Sequence, residues 1–397
     1  MFLCAGSILS LNVRRVLRSS GRCAGTLRRG VSGLGPGSGR AGRPAAGSCG
    51  PAAGSCGPAW RLLFFGSDEF AVESLRLLVS SRESSEGTVG SLEVVTLSRD
   101  VPVRRFALQN QLPVHTWPPG DLSGRFDVGV VVSFGCLLHE RLISQFPYGI
   151  LNVHPSLLPR WRGPAPVFHT ILHGDTVTGV TIMQIRPHRF DVGPILNQEL
   201  FPVPERCTAD ELGAALALRG ARLLMDTLKT LPERIAGRRE QSQTGATLAP
   251  KISSSLSWLL WEEQTCDQID RLFRAVGSRI PLRTLWKGRT VKLLDFVGEC
   301  HVSLSGRGRK PIPGSISFQK ESNTLAVCCK DGWVGFKSVV LNKKLTAADF
   351  YNGYLHQSER TTEPPQDSVF VSNRDRADTH THTHSAVTLS HSSRKTS

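Results

Sequence analysis

The sequence predicts an α/β protein in which a doubly wound, Rossmann-like parallel sheet is followed by a small OB-like β-barrel. From residue 61, short apolar runs alternate with helical stretches, which is the pattern of parallel strands joined by crossover helices. From residue 282, strand-length runs recur between Gly and Pro residues, which is typical of a small barrel. The length of 397 residues accommodates two domains. No apolar stretch approaches the roughly 18 residues that a membrane-spanning helix needs.

Local patterns predict the elements of the first domain. Apolar runs bounded by turn residues predict strands over residues 61–66, 92–98, 113–117, 127–134, 149–154, 178–185 and 192–200. Helices are predicted over 103–111, 137–146 and 208–230, and a further helix is expected after Ser67, its predicted cap. Thr208, Asp210 and Glu211 suit a capping box at the start of the long helix. Ligands of such domains bind beyond the carboxyl ends of the strands.

The first domain is therefore expected over residues 60–232, and a basic barrel over 248–356, with a polar linker over 233–247. In the barrel we predict a helix over 266–276 and strands over 282–286, 290–296, 314–319, 324–329 and 333–341. Residues 357–397 have no hydrophobic period and contain the run Thr-His-Thr-His-Thr-His. We predict that they form a disordered, low-complexity tail.

The N-terminal segment has the composition of a mitochondrial transit peptide. Residues 1–59 contain eight Arg and no acidic residue, and Ser, Ala and Gly fill the gaps. The Arg cluster follows the apolar run, whereas a secretory signal places its charges first. Residues 30–58 are rich in Gly, Pro, Ala and Ser, which cannot build a core. Residues 1–59 are thus predicted to be a transit peptide and disordered leader that directs the chain to the mitochondrial matrix.

The charge and the cysteine content indicate the kind of partner and the kinds of cysteine site to expect. The net charge of +15 comes from the leader, at +8, and from residues 241–356, at +7. A basic barrel predicts an anionic partner. Outside the leader, the cysteines form no C-x-x-C pair, so neither a zinc site nor a disulfide framework is predicted. These residues are Cys136, Cys207, Cys266, Cys300, Cys328 and Cys329.

The most informative stretch is LNVHPSLLPRWRG at residues 151–163, which begins at a strand end and continues as a Pro-rich loop. Asn152 and His154 are two residues apart, so strand alternation points both side chains to one face. This pairing couples an amide donor with an imidazole that can carry a proton. Either residue, taken alone, is more often structural.

This stretch closely resembles the signature of the folate-dependent formyltransferases. The resemblance extends to HGD at 173–175, TGVTIM at 178–183 and DVGPIL at 191–196, and upstream to FGSDEF at 65–70 and residues 130–135. It spans residues 61–355. It implies an enzyme that transfers the formyl group of 10-formyltetrahydrofolate to the α-amino group of initiator methionyl-tRNA, for mitochondrial translation initiation. No metal and no membrane insertion are implied, and we expect a monomer.

By this resemblance the catalytic residues are Asn152, His154 and Asp191. Asn152 and protonated His154 can donate hydrogen bonds to the oxyanion of the reaction, and Asp191 can hold the imidazole and order a proton-carrying water. The resemblance also implies that a set of apolar and backbone groups binds the folate, and the residues of this set are Phe134, Gly135, Leu137, Ser156, Leu157, Leu158 and Pro159.

The basic residues supply candidates for binding tRNA phosphates. Arg160 and Arg162 are expected to meet either the glutamate tail of the folate or the acceptor stem, or to be merely solvated. In the barrel, a solvated basic face is the alternative to tRNA contact, and the candidates there are Arg283, Lys287, Arg289, Lys292, Lys343 and Lys344. Bacterial members of this family carry a long Lys/Arg-rich insertion after the second strand. In this chain residues 99–103 close that gap almost directly. Residues 186–190, just before Asp191, are more basic than the corresponding segment usually is in this family.

Other functions share the same residues. A formyltransferase that acts on another amine acceptor, such as glycinamide ribonucleotide or a nucleotide sugar, would use the same Asn, His and Asp, as would a formyltetrahydrofolate hydrolase. A catalytically silent RNA-binding relative is a third alternative. The separate basic barrel favours tRNA as the acceptor.

Overall fold

The computed structural model describes residues 59–84, 87–97, 100–302, 311–356 and 368–377. The predicted transit peptide lies outside these residues, except for Ala59. Within them, no helix is both long and apolar enough to cross a membrane.

The first domain is built on a seven-stranded sheet in the order β3-β2-β1-β4-β5-β6-β7. The strands β1 to β5 are parallel, and β6 pairs antiparallel with both of its neighbours, β5 and β7. The Rossmann-like prediction is confirmed, but the expectation of a parallel sheet is wrong for β6. The connection from β6 to β7 contains no helix, as is usual between antiparallel strands. The strands are Trp60–Gly66, Val89–Thr96, Val114–Thr116, Val128–Val132, Ile150–His154, Val177–Gln184 and Ile195–Pro202.

Both faces of this sheet are buried, as a parallel sheet requires. On β1, Leu62 and Phe64 face the core beneath α1 and α5, whereas Leu63 and Phe65 face a second core beneath α3. All four side chains are fully buried. The helices of this domain are α1 (Glu69–Glu83), α2 (Pro102–Gln109), α3 (Glu140–Ile143), α4 (Pro166–Leu172), α5 (Ala209–Lys229) and α6 (Leu231–Ala236).

The N-terminal caps of the helices agree only in part with the caps predicted from the sequence. Thr208 caps α5 in a complete capping box with Glu211, as predicted. At α1 the cap is Asp68, whose carboxylate accepts a hydrogen bond from the Ala71 N–H. The prediction of Ser67 was wrong, because its hydroxyl instead donates to the Phe134 carbonyl at 3.3 Å. The helix predicted over 137–146 is reduced to α3, which has no side-chain cap.

The predicted linker is attached to the sheet rather than free. Arg239 and Ile195 form a bridge in which each N–H donates to the other's carbonyl, at 2.9 and 2.7 Å. Farther along, Leu248 pairs with Arg162 in the Pro-rich loop. The segment between the domains therefore forms part of the walls around the carboxyl end of β5.

The second domain is an antiparallel sheet in the order β10-β11-β12-β9-β8, with β13 paired to β12. Its strands are Leu282–Trp286, Arg289–Glu299, Ile316–Gln319, Thr324–Cys328, Trp333–Val340 and Lys344–Thr346. A short 3-10 helix, Ser254–Ser257, and α7 (Cys266–Val276) precede them, and α8 (Ala347–Phe350) and a π-helical turn (Tyr351–Leu355) follow them. The helix predicted over 266–276 is confirmed.

Part of the predicted disordered tail belongs to this barrel. Val371 pairs with Leu285 on β8, and Val369 pairs with Ser315 beside β10, so the tail joins the two edges of the sheet. Phe370 is 1% exposed and packs against Trp261. The disorder prediction is therefore wrong for residues 368–377, which end in the short helix α9 (Arg374–Ala377). A single buried aromatic ring and two strand-like bridges thus attach this part of the tail to the barrel.

The barrel docks on the first domain through α7. This helix packs against α4 and α5. Asp210, at the start of α5, accepts hydrogen bonds from Ser278 at 2.9 Å and from Arg279. The Arg274 guanidinium donates to the Cys207 carbonyl at 3.0 Å. The polar contacts fix the barrel beside the helix that covers β5 and β6.

Candidate active site

The carboxyl end of β5 presents an amide and an imidazole on one face. Asn152 and His154 alternate on this strand, and Thr181 of β6 pairs with His154. His154 is 5% exposed, and Asn152 is partly buried. Both side chains reach Asp191, so the prediction that they share one face is confirmed.

Asp191 lies in the loop between β6 and β7, and its carboxylate contacts both Asn152 and His154. Its Oδ1 accepts a hydrogen bond from Asn152 Nδ2 at 3.2 Å and lies 3.6 Å from His154 Nδ1. Its Oδ2 accepts from the Gly163 N–H at 2.9 Å. The backbone of Asp191 is left-handed, with φ +52°, a conformation that Asp tolerates better than most residues. The structure thus brings together the three residues that the resemblance selected.

The second ring nitrogen of His154 fixes its protonation pattern. His154 Nε2 lies 2.9 Å from the Trp161 carbonyl oxygen. A carbonyl can only accept, so Nε2 carries a hydrogen and donates it. His154 Nδ1 is then the nitrogen that takes up or releases a proton, and it faces the Asp191 carboxylate. The contact with the Trp161 carbonyl therefore holds the ring with Nδ1 toward Asp191.

The Pro-rich loop that supplies these backbone contacts is held by the segment between the domains. The Trp161 N–H donates to Thr247 Oγ1 at 2.9 Å, and the Ala249 N–H donates to the Arg162 carbonyl at 2.7 Å. Gly163 has φ +121°, and a Cβ there would lie 2.7 Å from the Ala249 carbonyl oxygen. Only glycine fits, and its N–H can therefore reach Asp191.

Gln241, on the same segment, holds the loop that carries Asp191. It is not among the residues predicted from the sequence. Its Nε2 donates to the Asp191 carbonyl at 3.0 Å and to the Gly193 carbonyl at 2.8 Å. Its Oε1 accepts two hydrogen bonds from the Arg162 guanidinium, at 3.0 and 2.8 Å. A lone Gln in a polar stretch carries no local signal, because its partners are 48 to 79 residues away.

Arg162 was predicted to meet the folate tail or the acceptor stem, or to be merely solvated, and its burial contradicts the solvated alternative. The residue is 9% exposed, and its guanidinium is used by Gln241. Burial lowers the pKa of Arg162, and the nearby charge of Arg189 adds to this effect. Arg162 therefore supports Gln241 and, through it, the Asp191 backbone.

Comparisons with known proteins identify the family. A sequence profile described as formyl transferase matches residues 122–228, and one described as formyl transferase, C-terminal domain, matches residues 251–355. The chain is 57% identical over 319 residues to methionyl-tRNA formyltransferase, mitochondrial, of Homo sapiens, a match that covers 77% of this chain and 82% of that protein. The chain belongs to the methionyl-tRNA formyltransferase family. The resemblance and the enzyme class predicted from the sequence are confirmed.

Other members show how far this similarity extends. The mitochondrial methionyl-tRNA formyltransferase of Bos taurus is 56% identical, and the match covers 77% of this chain and 81% of that protein. The methionyl-tRNA formyltransferase of the bacterium Roseiflexus castenholzii is 33% identical, with coverages of 74% and 96%. The similarity therefore includes both domains.

The predicted folate-binding residues of this formyltransferase differ in exposure. Phe134, Ser156 and Leu158 are at most 3% exposed. The Ser156 hydroxyl donates to the Arg160 carbonyl at 2.7 Å. These three side chains therefore offer little surface to a ligand, and folate contact through their backbone groups stays a prediction. Surface remains at the other predicted positions, which are Gly135, Leu137, Leu157 and Pro159.

A cavity of about 280 Å³ lies between the loop at residues 117–121 and the residues around α3. Trp117 lines it and packs edge-on against the Phe134 ring, with the ring centroids 5.2 Å apart. His139, which stacks on Trp117, and Arg141 also line it. The lining includes none of the predicted folate residues, and the cavity has no local sequence signal because it forms between a loop and α3.

Arg160 makes a different set of contacts from Arg162. Its guanidinium forms two hydrogen bonds with Asp175, at 2.9 and 2.6 Å, and stacks on the Trp161 ring at 4.3 Å. The hydrogen bonds to Asp175 raise the pKa of Arg160. Its side chain is 41% exposed. Phosphate contact by Arg160 stays a prediction.

Most of the predicted basic residues of the barrel gather at one end. Lys287 lies in the β8–β9 turn, Arg289 and Lys292 lie on β9, and Lys343 lies in the turn between β12 and β13, next to β9. All four are exposed. We call these four residues the basic patch.

The other two predicted barrel residues have structural partners. Arg283 is partly buried, donates to Ser257 Oγ at 2.8 Å and to the Ser254 carbonyl at 2.7 Å, and so contributes to barrel structure. Lys344 forms an ion pair with Asp295 at 3.2 Å.

The unusually basic segment before Asp191 is exposed at its end. Phe190 is 64% exposed, and His188 and Arg189 are also exposed. Arg186, by contrast, pairs with Glu240 at 2.6 Å. An exposed aromatic ring and an exposed guanidinium thus directly precede Asp191 in the chain.

Proposed function

We propose that this enzyme transfers the formyl group of 10-formyltetrahydrofolate to the α-amino group of initiator methionyl-tRNA in the mitochondrial matrix. The observation that carries the proposal is the convergence of Asn152 and His154 on Asp191 Oδ1 in a chain of this family. The names of the Homo sapiens and Bos taurus relatives support the acceptor and the location.

The geometry suits this acyl transfer. The amine attacks the formyl carbon, the carbonyl oxygen gains negative charge, and the carbon-N10 bond then breaks. Hydrogen-bond donors aimed at that oxygen lower the barrier, and each contributes about 3 to 4 kcal/mol. Asn152 Nδ2 and protonated His154 Nδ1 are such donors. The attacking amine loses a proton and N10 gains one, and His154 Nδ1, next to Asp191, can carry it.

The folate is proposed to lie along the exposed positions of the predicted set. Gly135 and Leu137 follow β4, and Leu157 and Pro159 follow β5, so both pairs lie at the carboxyl end of the sheet, where ligands of this fold bind. A pterin needs apolar walls and backbone hydrogen bonds. These positions offer both.

The acceptor end of the tRNA is proposed to bind on the segment before Asp191. The exposed Phe190 ring gives a nucleobase a surface on which to stack, a contact worth about 1 to 3 kcal/mol. The exposed Arg189 supplies a charge for phosphate. The basic patch of the barrel would hold the tRNA backbone farther from the reaction.

A formylation assay tests the proposal. Protein from Ala59 onward should formylate initiator methionyl-tRNA from 10-formyltetrahydrofolate with saturation, while glycinamide ribonucleotide and amino sugars remain unmodified. Formate release in the absence of an acceptor would instead indicate a hydrolase. Faster formylation of a small amine than of methionyl-tRNA would refute the proposed acceptor.

A further inference from the structure

Two cysteines and an aspartate meet where α7 contacts the barrel. Cys266 is the first residue of α7, and Cys329 and Asp331 lie in the turn between β11 and β12. The two sulfurs are 3.4 Å apart, and Cys329 Sγ is 3.6 Å from Asp331 Oδ1. The three ligand atoms all lie within 4.8 Å of one another. The sequence spacing did not predict this group, because Cys266 and Cys329 are 63 residues apart.

The distances from Cys329 Sγ to the other two ligand atoms are close to those of a tetrahedral metal site. Zinc binds sulfur at about 2.3 Å and carboxylate oxygen at about 2.0 Å, so tetrahedral angles place two sulfurs about 3.8 Å apart and a sulfur and an oxygen about 3.5 Å apart. The observed distances of 3.4 and 3.6 Å differ from these by no more than a few tenths of an ångström. A disulfide would need no carboxylate, whereas Asp331 completes a triangle of ligands.

The surrounding structure holds the ligands in place. The Cys266 N–H donates to Asp331 Oδ1 at 2.8 Å, and the Cys329 N–H donates to the Gly332 carbonyl at 2.8 Å. A Cβ on Gly332 would lie 2.9 Å from Cys266 Sγ, so glycine lets the thiol approach. The cysteines are buried and Asp331 is exposed, which gives an ion a path from solvent.

We propose that Cys266, Cys329 and Asp331 bind one zinc ion. Binding converts both thiols to thiolates and releases two protons to solvent, and the fourth coordination position is taken by water. The ion links the first turn of α7 to the β11–β12 turn. Because α7 also packs against α4 and α5, the site would stabilise the docking of the barrel on the catalytic domain.

Metal binding to the full-length, reduced chain tests this proposal. His380, His382 and His384 are replaced by Ala in every protein, so that the tail cannot bind metal. We expect one zinc ion per chain by equilibrium dialysis, and a thiolate-to-cadmium absorption band when Cd²⁺ is added. Zinc should also raise the melting temperature, since a ligand of the native state stabilises it.

Variants separate this site from adventitious binding. Cys266→Ser and Cys329→Ser should lose the ion and the absorption band. Asp331→Asn, which keeps an oxygen acceptor for the Cys266 N–H, should weaken zinc binding about tenfold or more. Cys328→Ser, whose side chain lies on the neighbouring position, is the matched control and should keep both signals. Equal zinc binding by Cys266→Ser, Cys329→Ser and the parent protein, or no stoichiometric binding by the parent, would overturn the proposal.

Discussion

The side-chain amide of Gln241 holds the backbone carbonyl of Asp191 at 3.0 Å, across 50 residues of sequence. The same side chain accepts two hydrogen bonds from the buried Arg162 guanidinium. Asp191, the carboxylate proposed to act in catalysis, is therefore positioned from the segment that joins the two domains, and not only by its own loop.

We expect Gln241→Ala to reduce kcat for methionyl-tRNA formylation by about tenfold while changing KM little, since small misplacement of a catalytic group reduces rate. Gln241→Glu keeps an acceptor for Arg162 but cannot donate to the two carbonyls, so it should also be slow. Steady-state kinetics measure both. The matched control is Gln243→Ala on the same segment, which is exposed and should behave like the parent. A rise in KM with unchanged kcat would contradict this role.

Replacement of His154 should affect chemistry rather than binding. His154→Ala removes an oxyanion donor and the proton carrier together, so kcat should fall by at least about 10²-fold. His154→Gln can still donate to the Trp161 carbonyl, but it cannot carry a proton, and we expect the same loss. Folate and tRNA binding, measured by fluorescence titration, should stay within a few-fold of the parent. Activity within a few-fold of the parent in either variant would argue against the assignment.

The exposed ring beside Asp191 provides a test of acceptor-end binding. Phe190→Ala should raise KM for methionyl-tRNA about tenfold with kcat preserved, because loss of a stacked base costs about 1 to 3 kcal/mol. Phe190→Trp should restore the parent KM. Leu200→Ala, at another exposed apolar residue, serves as control. If Phe190→Ala leaves KM unchanged, the acceptor end lies elsewhere.

Charge reversal in the basic patch tests the barrel. Changing Lys287, Arg289, Lys292 and Lys343 to Glu should raise KM for tRNA and flatten its salt dependence, since each lost phosphate contact lowers the log-log slope by roughly 0.7 to 0.9. Arg283 is left unchanged because it holds Ser257. Lys320→Glu, outside the patch, is the control. An unaltered salt slope would mean that this face is only solvated.

Asp68 should make stability depend on pH. Burial raises the pKa of Asp68 from its ordinary 3.8 to about 6, against the lowering effect of hydrogen bonds from Ser133 and the α1 backbone. The native state therefore holds this proton more tightly than the unfolded chain. The protonated Asp68 carboxyl therefore contributes its full stabilisation below pH 3.8, and this stabilisation is lost as the pH rises to about 6.

Asp68→Asn keeps the helix cap and removes the titration, because Asn is an equally good cap. The variant should gain stability relative to the parent as the pH rises from about 4 to 6, and the difference should then level off at about 3 kcal/mol or less. Urea unfolding at several pH values measures this difference. Ser133→Ala removes a donor to the carboxylate and should destabilise the protein near neutral pH. A difference between Asp68→Asn and the parent that does not change with pH would refute the shift.

The sequence by itself determined most of the strands and helices along the chain, the basic barrel and the choice of Asn152, His154 and Asp191 as candidate catalytic residues. These depend on short-range regularities, which are the two-residue alternation of β5, the capping box of α5 and one contiguous motif. Local steric and hydrogen-bonding rules act over a few residues, so a sequence shows them directly.

Only the tertiary structure decided which groups surround these residues. It assigned Arg162 and Gln241 to the support of Asp191, placed Phe370 of the tail inside the barrel, and brought Cys266 to Cys329. Each of these contacts joins residues far apart in the chain. The sequence does not show whether a side chain such as Gln or Cys is solvated or buried. Their roles arise from the packing of distant segments, because chain folding alone sets which donors and acceptors meet away from water.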